Sequence, residues 1–224
     1  MVTVHHLENS RSQRILWLLE ELAVPYDVRR YERDPETQLA PAELTAIHPL
    51  GKAPIVTDGD TTVAESGAII EYLVERYGDG RLVPPEGSPA HGQYRYFMHY
   101  AEGSFMPLMV LSLIMSRIES APVPFFLKPV TRGIADKVRK GYLDHSIERN
   151  LDFLEATLAA STWFTGEDLT AADVQMSFAV EAAAVRNDLS GRYPNLAAFL
   201  ERVRERPAYR AALEKGGPYT LLDR

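Results

Sequence analysis

The chain has 224 residues, 46% of them hydrophobic, and a formal charge of -7; it can bury the core of one or two domains, and its acidic balance argues against nucleic acid as a partner. It contains no cysteine, which excludes disulfides, thiolate-bound zinc, a cysteine nucleophile and a CxxC redox pair. No apolar run reaches the roughly 18 residues of a spanning helix, and the opening MVTVHHLENSRSQ lacks the layout of a signal peptide, so the reading is a soluble cytoplasmic protein with no membrane partner.

Residues 2–5 (VTVH) read as a strand and 14–22 (RILWLLEEL) as an apolar helix that ends near Pro25. YDVRRY (26–31) alternates like a second strand, and APAELTAIH (40–48) suits a short helix with Pro41 in its first turn and Pro49 at its end. APIVTDGDTTVAE supplies two strands joined at Asp58-Gly59, a dipeptide that accepts positive φ. SGAIIEYLVERYG then reads as a helix with Ile69, Ile70, Leu73, Val74 and Tyr77 on one face and Gly78 at its end. The order is β-α-β-α-β-β-α over residues 1–80.

The Gly- and Pro-rich stretch that follows is read as a linker, residues 81–92, leading to an all-helical domain over 93–224. Helical spacing covers 93–118, roughly 128–160, 171–186 and 194–206, with breaks at Pro122, Pro124, Gly166, Pro194 and Pro207. LTAADV (169–174) marks one helix start: Thr170 caps, Asp173 answers three residues on, and Leu169 packs on Val174. The stripe Tyr96, Tyr100, Phe105, Met106 and Met109 is either core or the wall of an apolar site. His5 and His6 are successive strand residues that point to opposite faces, so no metal site is expected of them.

Three short motifs in this order, HPLGKAPI, AESGAIIEYL and LTAADV, resemble the cytosolic glutathione S-transferase family over nearly the whole chain, and SRSQRILWLLEEL is similar to its serine-type bacterial and fungal members. The resemblance implies a thioredoxin-like β-α-β-α-β-β-α domain followed by an all-helical domain, with glutathione as co-substrate and no permanently bound cofactor. It also implies a homodimer and an enzyme that attacks a small hydrophobic electrophile with the glutathione thiolate, with reduction of organic hydroperoxides as a further activity. The alternative is a transferase-like binding or regulatory protein without turnover.

On this reading Ala53-Pro54 is a cis bond that turns the Ala53 backbone outward to pair with the cysteinyl part of glutathione, as an added strand would; otherwise Pro54 merely opens an edge strand. Ser66, at a helix N-terminus, suits the γ-glutamyl carboxylate and Glu65 the ammonium. Lys52 is assigned to the glycyl carboxylate, with Gln38 and His48 as other candidates. No tyrosine precedes Tyr26, so a serine is expected to hold the thiolate: Ser10 first, four residues before Arg14, then Ser12, with Asn9 as an amide donor. The same stretch, Ser10 to Gln13, also reads as a capping box. The aromatic and methionine stripe would face the electrophile.

Overall fold

A computed structural model of the chain describes residues 1–185 and 189–219. Strand β1 (Val2–Leu7), helix α1 (Gln13–Glu21), β2 (Tyr26–Tyr31), a 3₁₀ turn over Ala42–Ala46, β3 (Ile55–Asp58), β4 (Thr61–Ala64) and α2 (Ser66–Tyr77) follow in the expected order. The segment 40–48 is shorter and tighter than expected, and Pro41 stands before its first turn rather than in it. The bond from Ile47 N–H to Leu44 O is of the i→i+3 kind that defines this turn. The β3–β4 hairpin closes at the pair Asp58↔Thr61, which makes Gly59-Asp60 the turn, one residue later than read from the sequence. Gly59 carries the positive φ, 61°.

The sheet order is β2-β1-β3-β4, with β1 parallel to β2 and antiparallel to β3, and β4 antiparallel to β3. Strand alternation sends Leu7, Tyr31 and Ile55 to one face, where Leu44 of the 3₁₀ turn covers them. Val2, Val4 and Val56 join the main core. That core also holds α1, whose residues Gln13 to Leu19 are all buried, each apolar side chain worth roughly 1.5–3 kcal/mol of transfer from water. The rings of Trp17 and Tyr209 meet edge to face at 5.5 Å.

Beyond α2 the described residues are helical: α3 (Pro89–Tyr100), α4 (Met106–Ser120), α5 (Lys128–Val138), α6 (Asp144–Ala160), α7 (Ala171–Ala184), α8 (Leu189–Arg192), α9 (Pro194–Glu205) and α10 (Pro207–Gly216). Helix α3 starts four residues before the expected 93, because the Ser88 hydroxyl accepts the His91 N–H at 3.2 Å and Pro89 fits the first helical position. Position 186, the expected end of α7, lies outside the described residues. The segment after α2 is tied to both halves of the molecule: Arg81 Nη2 donates to Leu22 O at 2.9 Å and Ala171 N donates to Leu82 O at 2.8 Å.

Helices α3 and α4 run on as one helix, as do α5 and α6, each through a single widened turn. In the first, Met106 N–H reaches back five residues to Ala101 O; in the second, Asp144 N–H reaches Arg139 O. The continuous helix 89–120 is, among the described residues, long and apolar enough by length and composition to cross a membrane, contrary to the sequence count. Here its Phe97, Ala101, Phe105 and Met109 are buried in the protein core.

Candidate functional site

The loop from β1 to α1 carries the serines. Ser10 Oγ donates to Leu7 O at 2.7 Å and lies 2.7 Å from Ser12 Oγ, which in turn lies 2.9 Å from His6 Nδ1 and 3.2 Å from Leu7 O. Strand alternation creates this chain of groups: His6 faces α1, whereas His5 faces the other way and bonds Tyr31 Oη at 2.9 Å. Burial, reinforced by the nearby Arg30 charge, pushes the His6 pKa down to about 4, so its ring is neutral at pH 7. The capping box read over Ser10–Gln13 does not form. Gln13 N–H donates to the Ser10 backbone oxygen at 3.2 Å and the Gln13 side-chain amide has no partner among the described residues; the Ser10 hydroxyl is taken by the loop instead.

Two adjoining cavities open beside this loop. The larger, about 570 Å³, is lined by Asn9, Ser10 and Arg11 of the loop, by Arg33, Lys52 and Ala53, and by Met106, Met109, Val110, Leu113 and Phe178 of the helices. The smaller, about 190 Å³, is polar and is lined by His48, Lys52, Ala53, Pro54, Glu65 and Ser66, with Arg11 and Glu102. They share Arg11, Leu50, Lys52 and Ala53, and Ser10 lines the larger of the two.

The Ala53-Pro54 bond is cis. Ala53 lies two residues before the first ladder pair, His5↔Ile55, where a further extended segment has room to align. Glu65 precedes α2 with φ 73° and ψ 126°, a strained conformation for a residue other than glycine. Its side chain is exposed while Ser66 is buried at the first turn of α2. Carboxylate, hydroxyl and helix N-terminus therefore converge on the smaller cavity, a set of groups complementary to a zwitterion.

Other expected residues fall elsewhere. Ser12 is fully buried and lines neither cavity; Gln38 bonds the carbonyls of Asp34 and Pro35 and lines neither. Of the expected stripe only Met106 and Met109 reach the larger cavity. Tyr96, Tyr100 and Phe105 belong to an aromatic cluster with Phe97 and Phe153, Tyr96 stacking on Tyr100 at 5.5 Å and Tyr100 on Phe105 at 6.3 Å. The Tyr100 hydroxyl is spent on Asn150. Tyr100 and Phe105 are buried and Tyr96 is 47% exposed, so the stripe divides between core and surface, and the widened turn at 101–105 rotates the residues that follow it.

That same turn presents Glu102, which sequence reasoning missed. Arg11 Nε donates to its Oε2 at 2.9 Å, and the buried Arg14 donates to Oε1 and to Gln175 O. Burial would raise the Glu102 pKa, but Arg14 and Arg11 outweigh it and hold the carboxylate below its ordinary range. The ion pairs join the β1–α1 loop and α1 to the α3–α4 turn, and the Arg14 hydrogen bond reaches α7, with Arg11 and Glu102 lining the smaller cavity.

The family model for the glutathione S-transferase N-terminal domain matches residues 1–75, and that for the C-terminal domain matches residues 124–216. The chain is 39% identical to glutathione S-transferase 3 of Schizosaccharomyces pombe over 99% of its length and 90% of that protein. It is 31% identical to glutathione S-transferase 1 of Saccharomyces cerevisiae over 96% of its length and 95% of that protein. A solved glutathione S-transferase from Actinobacillus pleuropneumoniae superimposes on the whole chain and 96% of its own with a TM-score of 0.81 at 32% identity. Together with the fold and the paired cavities, these likenesses show that the chain belongs to the glutathione S-transferase family.

Proposed function

We propose that this glutathione transferase holds the γ-glutamyl end of glutathione in the smaller cavity, with Glu65 on the ammonium and Ser66 and the α2 N-terminus on the carboxylate. The cysteinyl backbone pairs with Ala53 beside cis-Pro54, and Lys52 meets the glycyl carboxylate. The thiol then lies at the junction of the cavities, against Ser10. The observation that carries this reading is that the larger cavity, which Ser10 lines, shares Arg11, Leu50, Lys52 and Ala53 with the smaller.

Catalysis follows from stabilising thiolate over thiol, since the thiolate is the nucleophile. Ser10 turns its O–H from Leu7 O to the sulfur; Leu7 O is not left bare, because Ser12 Oγ stands 3.2 Å away with a proton to give. The sulfur attacks an electrophile seated in the larger cavity against Met106, Met109 and Phe178. With an organic hydroperoxide the same thiolate attacks the O–O bond, and a second glutathione completes the reaction to alcohol, water and glutathione disulfide. The protein is proposed to act in the cytoplasm.

Titration calorimetry with glutathione tests the assignment. Glu65→Ala weakens binding by about 1.5–3 kcal/mol, the range for a hydrogen bond to a charged group; unchanged affinity would remove Glu65 from the site.

A further inference from the structure

The larger cavity carries a charge pattern that a neutral electrophile does not use. Among the described residues its charged lining is Arg11, Arg33 and Lys52, with no carboxylate, in a chain of net charge -7. Arg11 is held by Glu102 at 2.9 Å, and Lys52 stands at the junction where the glutathione reading gives it the glycyl carboxylate. Arg33 has no such anion. It is half-buried, its Nη1 donates to Gln38 O at 3.0 Å and its Nη2 reaches Asn9 O at 3.5 Å. Among the described residues no carboxylate forms an ion pair with its guanidinium; Glu8 is engaged by the Arg33 backbone N–H, at 2.9 Å. Burial lowers the Arg33 pKa, Glu8 opposes this, and the like charges of Arg117 and Arg11 lower it further. A cleft that gathers like charges beside apolar walls is arranged for a ligand of opposite sign.

We infer that the electrophile of this cavity is an amphiphilic anion, an apolar body carrying a carboxylate, and that Arg33 selects it by pairing with that carboxylate. The inference rests on the glutathione reading of the site. A thiolate repels a second anion brought beside it, and a guanidinium offsets that repulsion while its fork fixes the carboxylate's orientation. For an enone acid the step is an addition. Sulfur bonds the β-carbon, the π pair moves to the enolate, and the proton lost by the thiol returns at the α-carbon; no group leaves and no further reactant is needed.

Ethacrynic acid and its methyl ester share one enone and differ in the carboxylate, so the ratio of their kcat/KM values reads the inference directly. The wild type is expected to favour the acid about tenfold, Arg33→Gln to bring the ratio near one, and Arg33→Lys to restore most of it. A wild-type ratio near one would overturn the inference, as would an Arg33→Gln variant that keeps the preference. It would also fall if Arg33→Gln raised the KM for glutathione as much as it lowered kcat/KM for the acid, because Arg33 would then serve the glycyl carboxylate. The saturated dihydro forms, which cannot react, are titrated in parallel with glutathione present. Tighter binding of the acid, lost in Arg33→Gln, supports the inference even if no conjugate forms, an outcome that would sink only the conjugation reading.

Discussion

On the proposed reading Ser10 is the residue on which the chemistry turns, and its surroundings make a sharp expectation. The residue is 6% exposed and lines the larger cavity, and its hydroxyl shares Leu7 O with that of Ser12. Ser10→Ala removes the donor to bound thiolate, and loss of a hydrogen bond to the charged form raises the pKa of enzyme-bound glutathione. Turnover near neutral pH falls and recovers as pH rises, with thiolate absorbance against pH as the direct reading. If the serine only braces the loop, alanine costs about 0.5–1.5 kcal/mol of stability, the worth of a typical hydrogen bond, and leaves the thiolate titration in place. Ser12→Ala serves as the control, since Ser12 lies behind Ser10 and reaches the site only through it. The candidates were legible from residues close in sequence: the resemblance to serine-type members directs attention to Ser10, and the short motifs hold Pro54, whose bond is cis, and Glu65 and Ser66, which line the smaller cavity. Glu102 was not, because its partner Arg11 lies 91 residues away and a lone glutamate in an apolar helix carries no sign of a reach across domains. Arg33 was hidden for the same reason.

Among the elements, α7 shows how a local motif is put to tertiary use. Its capping box forms as read: the Asp173 carboxylate accepts the Thr170 N–H at 2.8 Å and hydroxyl at 2.9 Å. It also accepts the Phe164 N–H at 2.8 Å, fastening the preceding loop to the helix. Burial pushes the Asp173 pKa up to about 6 although these donors pull it down. The folded value lies above the unfolded 3.8, so this group's contribution to stability is complete below about pH 4 and is lost as pH rises to about 6. The loss is about 3 kcal/mol at roughly 1.4 kcal/mol per unit. Asp173→Asn removes the titration and leaves one of the buried donors poorly served. Thermal melts from pH 4 to 7 are therefore expected to show the variant's deficit largest at the acid end and shrinking by about 3 kcal/mol as pH rises; a deficit that grows with pH would contradict the burial argument. Helix α7 could be read from its caps, but α10 could not. Pro207 was taken as a break, whereas it occupies the first position of a new helix, a role that proline's fixed φ and missing N–H allow equally well. The widened turns at 101–105 and 139–143 were also invisible, since one extra residue per turn disturbs the apolar spacing too little to register.

For the molecule as a whole, the question is whether one chain is the working unit. A folded monomer of 25.1 kDa is expected to expose about 10,000 Å² by the usual mass scaling, and this chain exposes 11758 Å². The excess, roughly 1,500 Å², is about twice the ~800 Å² that each partner contributes to a standard interface. Part of the exposed surface is apolar, including Phe125, Phe126, Val130 and Ile134 around the start of α5, a patch larger than scattered surface residues produce. Closed twofold dimers are the commonest arrangement for soluble oligomers. We therefore expect a symmetric homodimer, with sedimentation at micromolar concentration giving about 50 kDa, twice the 25.1 kDa of the chain. Association driven by apolar contact should survive 0.5 M salt, because screening at that ionic strength weakens surface ion pairs and leaves hydrophobic burial intact. A species of 25.1 kDa at low and high salt alike would exclude the dimer, whereas dissociation by salt alone would keep it and transfer its stability to charged contacts.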